Sequence, residues 1–164
     1  MIKRTSIASR LAAVVAFVFL GASAAAMAKG GDPFVGNWQY DSAKSTFTGM
    51  PANTAGKLAI TKKKKDYKIV ADNTGADGKV THYEYGGPAD GSDLSVTGNA
   101  PIQSVTILLA DSHTAIRTDR RAGKVVGMTT VTVDKAGKTM TSVGRGVTAD
   151  NKTYSYSLVF NRVK

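Results

Sequence analysis

The 164-residue chain has no cysteine, two histidines, one tryptophan and a single glutamate. Each scarcity excludes something. Without cysteine there is no disulfide, so the fold must be held by its core. His82 and His113, with no cysteine beside them, leave a zinc site almost without ligands. Glu84 is the only glutamate and its strand parity points it outward, which removes the inward carboxylate pair that glycoside hydrolysis requires. Proline is sparse, and no segment keeps a 3.6-residue apolar period over three turns, so no helical layer is expected. No G-x-S-x-G occurs, and Gly144-Arg145-Gly146 belongs to no phosphate loop. Asp72, Asp77, Asp90 and Asp93 do not match the spacing of a calcium-binding EF-hand loop. The expectation is a chain that is not an enzyme and carries neither metal nor cofactor.

The N-terminal stretch is of another kind. Lys3, Arg4 and Arg10 precede the apolar, small-residue run of residues 11–26, and Ala26-Met27-Ala28 has the A-x-A form of a cleavage site. Residues 1–28 therefore read as a signal peptide cleaved after Ala28, and residues 29–164 as one exported domain, periplasmic or secreted. Removing Lys3, Arg4 and Arg10 from the 22 basic residues leaves 19 against 12 acids, a net charge of +7. Export argues against a nucleic-acid partner. An anionic envelope surface, lipid or glycan, stays open.

The rest of the chain is a succession of short alternating segments rich in β-branched and aromatic residues, with turn signals about every ten residues. Strands are expected at 35–40, 57–61, 67–73, 79–85, 94–98, 104–110, 113–121, 125–133, 139–147 and 153–163. Residues 41–56 read as a long loop with a helical turn at 42–45, and residues 86–93 as a turn cluster. Short consecutive connections imply antiparallel neighbours, and a meander of this length escapes its open edges most simply by closing on itself. The fold class is thus all-β, a single antiparallel up-and-down β-barrel of about eight to ten strands.

Period-2 reading puts Trp38, Tyr67, Tyr83, Tyr85, Tyr154 and Tyr156 on the inner surface. Buried phenol hydroxyls need partners or water, so a tyrosine-lined interior argues for a ligand-holding cavity. Tyr83, Tyr85, Tyr154 and Tyr156 are the candidate ligand-binding residues, for a small apolar or amphipathic molecule. A void of about 300 Å³ or more would favour that reading. The alternative is a filled barrel acting through a basic surface, with the Lys62–Lys65 run and the cluster of Arg117, Arg120 and Arg121 joined in one patch. Taken singly, the lysine run reads as a solvated hairpin tip, and the arginines beside Asp119 as a mixed-sign strand face.

Gly36-Asn37-Trp38 at the first strand resembles the G-x-W element that opens the lipocalin-like, or calycin, group. The resemblance implies an indole plugging one end of the barrel. It also implies a basic side chain covering the indole from the end of the last strand, a place matched by Arg162, so that Trp38 and Arg162 are structural. Asp77-Gly78-Lys79, Tyr85, Gly123-Lys124 and Ala136-Gly137-Lys138-Thr139 are similar to the turns of a family of small exported bacterial proteins. The 41–56 segment lacks room for the two helices of fatty-acid-binding proteins. The chain also lacks the disulfide and C-terminal helix frequent in lipocalins.

Overall fold

A computed structural model describes residues 31–164; the signal peptide expected at 1–28 lies outside the described residues. The described chain is all-β: β1 (Gly36–Thr48), β2 (Asn53–Lys63), β3 (Asp66–Gly75), β4 (Val80–Pro88), β5 (Asp90–Ser95), β6 (Thr97–Gly98), β7 (Ser104–Leu109), β8 (Thr114–Arg121), β9 (Lys124–Val133), β10 (Thr139–Val147) and β11 (Thr153–Val163). All pairings are antiparallel, and the sheet runs β5-β7-β8-β9-β10-β11-β1-β2-β3-β4-β6.

The two ends of that order meet. Only Val96 separates β5 from β6, so Asp90–Gly98 is one bent strand. Its first part pairs with β7 (Leu94↔Val105, Ser95↔Ser104), and its last two residues pair with β4 (Tyr83↔Gly98, Glu84↔Thr97). The ribbon is therefore an up-and-down barrel of ten strand positions, closed at a short seam between β4 and the bent strand. Closure removes the free edges that an open sheet would expose.

Two segments differ from the sequence reading. Residues 41–56 are not a long loop, because β1 continues to Thr48 and β2 begins at Asn53. In place of a helical turn, residues 42–45 form a bulge in β1, across which the ladder to β11 steps from Asp41↔Val159 to Thr46↔Ser157. Ser45 bridges the break: its hydroxyl donates to Asp41 O at 2.7 Å and accepts from Val159 N–H at 2.9 Å. The polar residues that look like a loop are satisfied by strand partners distant in sequence. The 86–93 cluster is likewise a strand-to-strand corner at Ala89 rather than a turn loop. A side chain on Gly87, at φ 151°, would collide with Leu94, so the corner folds tightly over the core.

One end of the barrel is stoppered as the G-x-W element implies. Trp38 is 1% exposed, and its indole N–H donates to Phe34 O at 3.0 Å. The Arg162 guanidinium lies 4.1 Å from the indole centroid. It also donates to the carbonyls of Pro33, Val35 and Gly137, tying the entering chain and the β9–β10 turn to β11. Position 36 must be glycine, because a Cβ there would run into this guanidinium and the backbone sits at φ 149°. Met140 and Val133, both fully buried, complete the plug.

Arg162→Met keeps an aliphatic stem over the indole but removes the charge and three charge-assisted hydrogen bonds. We expect a loss of about 5 kcal/mol, since such bonds contribute about 1.5–3 kcal/mol each net of water and a cation–π contact about 1. Urea unfolding followed by Trp38 fluorescence measures it; a loss below about 1 kcal/mol would contradict this account of the plug.

Candidate functional site

Above the plug the interior is hollow, with a cavity of about 220 Å³. Its floor is Phe34, Ile60, Met140 and Phe160; its walls include Ile69, Ile107, Val131 and Leu158. Inward parity produces this lining, because alternate residues of β2, β3, β7, β9 and β11 are the apolar ones. One rim lies where β1 and β2 part. Their pairing ends at Gln39↔Lys57, and the half-buried Phe47, Met50 and Asn53 line the cavity beyond that point.

The volume is below the 300 Å³ taken above as the threshold, even though two of the expected rings keep clear of the centre. Tyr154 and Tyr156 do not project across the barrel; they stack on each other (6.1 Å, 9°) and lie down on the β9–β10 wall. The glycines opposite make room, in register Gly144↔Tyr156 and Gly146↔Tyr154. A Cβ at 144 would overlap the Tyr156 ring, and one at 146 would stand 2.6 Å from the Tyr154 hydroxyl. Of the four candidate tyrosines, Tyr83, Tyr85 and Tyr156 line the cavity and Tyr154 does not. The Tyr156 hydroxyl is engaged with Thr129 Oγ1 at 2.6 Å. Tyr83 and Tyr85 stack face to face (6.2 Å, 3°) on the β4 wall.

The principal correction concerns β8. Arg117 and Asp119 are not part of an outward mixed-sign face. They point into the barrel, in step with Ala115, while Ile116, Thr118 and Arg120 take the other face. The Asp119 side chain is 7% exposed and that of Arg117 19%, and Arg117 lines the cavity. Arg117 Nη2 donates to Asp119 Oδ2 at 2.9 Å. Nε and Oδ1 are 2.8 Å apart but poorly aligned, so this second contact is an ion pair without a hydrogen bond, and both atoms are buried without another partner. Burial alone would lower the Arg117 pKa. The charge of Asp119, with the phenols of Tyr85, Tyr83 and Tyr156, outweighs it and holds the guanidinium well above its ordinary value. Burial pushes Tyr85 up to about 12 against the opposing pull of Arg117, and pushes Tyr156 up as well. At neutral pH Tyr85 and Tyr156 are thus protonated donors beside a fixed cation. The signal for this pair was available in the alternation Ala115, Arg117, Asp119. Ile116 stands on the opposite parity, so alternation by itself gives an apolar residue to either face.

The Lys62–Lys65 run also divides. Lys63, Lys64 and Lys65 are exposed at the β2–β3 turn. Lys62 instead reaches back to Asp32 (2.7 Å) and to the Tyr67 hydroxyl (2.9 Å), which itself donates to Asp32. Burial would raise the Asp32 pKa; hydrogen bonds from Lys62, Tyr67 and Phe34 N–H outweigh it and hold the carboxyl below its ordinary value. This latch sits at the Trp38 end. Strand direction puts Arg120 and Arg121 at the opposite end, so the two basic groups form no single patch. There Arg120 faces Asp93 at 3.5 Å, and Arg121 donates to the carbonyls of Pro101 and Val147.

His82 Nδ1 lies 2.6 Å from Asp72 Oδ1, but both side chains are about half exposed and neither lines the interior cavity. His113 contacts Ser112 Oγ at 2.9 Å in the β7–β8 turn. Asp77 and Asp90 accept backbone N–H bonds from Lys79 and Ser92 within their own turns. Among the described residues no three His, Cys, Asp or Glu side chains gather as metal ligands.

No protein-family model matches the sequence, and no curated relative does either. The similar solved structures are β-barrels. One is a redesigned barrel, mFAP1, bound to DFHBI, 17% identical, TM-score 0.42, with 79% of this chain and 95% of that chain covered. Another is mFAP0 bound to DFHBI, 14% identical, TM-score 0.46, covering 79% and 99%. A third is EF1p2_mFAP2b bound to DFHBI, 13% identical, TM-score 0.47, covering 80% and 94%. The likeness is one of barrel fold and carries no further argument.

Removing one partner of the interior pair leaves an uncompensated buried charge. Asp119→Ala should therefore destabilise the protein by about 3–5 kcal/mol, whereas Arg117→Met/Asp119→Leu should lie within about 1 kcal/mol of the parent or above it. Urea titrations of both variants compare them; a single variant as stable as the parent would show that the pair is not buried in solution.

Proposed function

We propose that this protein is an exported, non-catalytic barrel that holds a small, largely apolar molecule in its interior. The observation that carries the reading is the unfilled space above the Trp38 plug, apolar on its floor and walls and polar where Arg117, Tyr83 and Tyr85 meet. Ligand sites are commonly concavities of this composition, with apolar lining for affinity and a few placed polar groups for orientation. Binding would be driven by removing ligand surface from water, at roughly 25 cal/mol per Å². The volume sets the size class: about seven waters at liquid density, or a ligand of roughly ten non-hydrogen atoms at protein packing density. Residues 1–28 supply the export part of the proposal, through their basic start, apolar run and A-x-A end.

Native mass spectrometry of the protein purified from its own host provides the test. We expect a fraction of molecules to retain a non-covalent adduct of roughly 100–200 Da, consistent with that atom count. Ala71→Phe, which adds a ring to the cavity wall, should abolish it while leaving the β-sheet circular dichroism intact. If only the bare chain is found, and no small aliphatic compound raises its melting temperature, the proposal fails.

A further inference from the structure

The buried pair decides which kind of polar group the cavity accepts. Arg117 is the cation that lines the cavity, and a lone guanidinium there would select an anion. It is not alone: Asp119 neutralises it from behind, at 2.8 and 2.9 Å. A carboxylate entering the cavity would bring net negative charge into a low-dielectric space that already holds the Asp119 carboxylate, and no second cation lies in the interior wall to balance it. Lys57, the other basic residue along the cavity, stands exposed at the rim.

The polar pole nevertheless has donors to give. Arg117 carries five N–H groups, of which one is well bonded to Asp119. The guanidinium also donates to the Tyr85 phenol oxygen, the Tyr83 hydroxyl lines the cavity beside it, and Ser142 is buried along the cavity on β10. The Tyr85 phenol, kept protonated by burial, adds a donor beside them. Donors without net charge fit an uncharged acceptor. The Tyr83 phenol oxygen can in turn accept a hydrogen bond from an amide N–H.

We infer that the cavity is selective for an uncharged aliphatic molecule with a carbonyl headgroup, an amide being the best fit, and that the Arg117–Asp119 pair discriminates against the corresponding carboxylate. The inference rests on the interior-binding reading above and deepens it by naming the ligand class. Asp119 acts as the specificity determinant although it does not itself line the cavity, because it sets the net charge that Arg117 presents.

Octanamide, octanoate and cyclohexane separate the possibilities, each titrated at pH 7.5 by isothermal calorimetry. Octanamide should bind at least tenfold more tightly than octanoate, and cyclohexane should bind measurably. Asp119→Asn should invert the order so that octanoate exceeds octanamide, since the guanidinium is then uncompensated. Arg117→Met/Asp119→Leu guards against loss of folding in that variant; it should retain measurable cyclohexane binding and separate the two headgroups by less than threefold. Octanoate binding as well as octanamide to the parent protein, or a double variant that keeps the tenfold preference, would overturn the headgroup inference while leaving the cavity reading intact. Failure of all three compounds to bind would overturn the cavity reading itself.

Discussion

The stacking of Arg162 on Trp38 is the contact on which the remaining geometry depends. It joins three parts of the chain at one point: the entering segment through Pro33 and Val35, the β9–β10 turn through Gly137, and the first and last strands, where Trp38 faces Arg162 in the ladder. A meander can wrap fully only if its first and last strands meet, and this junction marks where they do. It also makes one end of the barrel solid. Eight-stranded barrels have interiors that side chains just fill. With ten strand positions and a plug confined to one end, the middle of this barrel is left partly empty.

The rest of the interior is shaped by two opposed devices. On the β9–β11 wall, glycines at 127, 144 and 146 let Tyr154 and Tyr156 lie flat, so large aromatic residues take little of the central space. On the β8 wall, a charged pair is buried at a desolvation cost that Coulomb attraction only partly offsets. A pair of apolar residues would fill the same place with less risk to stability. A buried pair with incompletely satisfied atoms, facing the cavity beside protonated phenols, is consistent with a role in recognition. The asymmetry between an apolar floor and this polar wall gives the cavity a direction, as a site must have if it is to orient what it holds.

The outer surface is organised differently. Its exposed ion pairs, such as Lys68–Glu84 across adjacent strands and Lys79–Asp77 within the β3–β4 turn, join near neighbours. Such pairs contribute little to stability. Its cations are spread over both ends of the barrel, with Lys63–Lys65 at the plugged end and Arg121 and Lys124 at the other. Among the described residues these cations therefore do not gather on one face.

The sequence by itself determined the class of fold, most strand positions and the inward parity of most of the tyrosines, while the Trp38–Arg162 contact was implied by the resemblance of Gly36-Asn37-Trp38 to the opening of the lipocalin-like group. These depend on local signals: turn residues fix where strands end, and a period of two fixes which residues share a face. The shared face of Arg117 and Asp119 is also written in that period, but with Ile116 on the other face the period does not say which face turns inward. The tertiary structure alone decided that residues 42–45 bulge instead of looping, that Tyr154 lies on Gly146 instead of facing a ligand, that Lys62 turns back to Asp32, and that the interior keeps about 220 Å³ open. Each of these depends on what a residue meets across the barrel, and those partners come from parts of the chain whose distance in space no local pattern encodes.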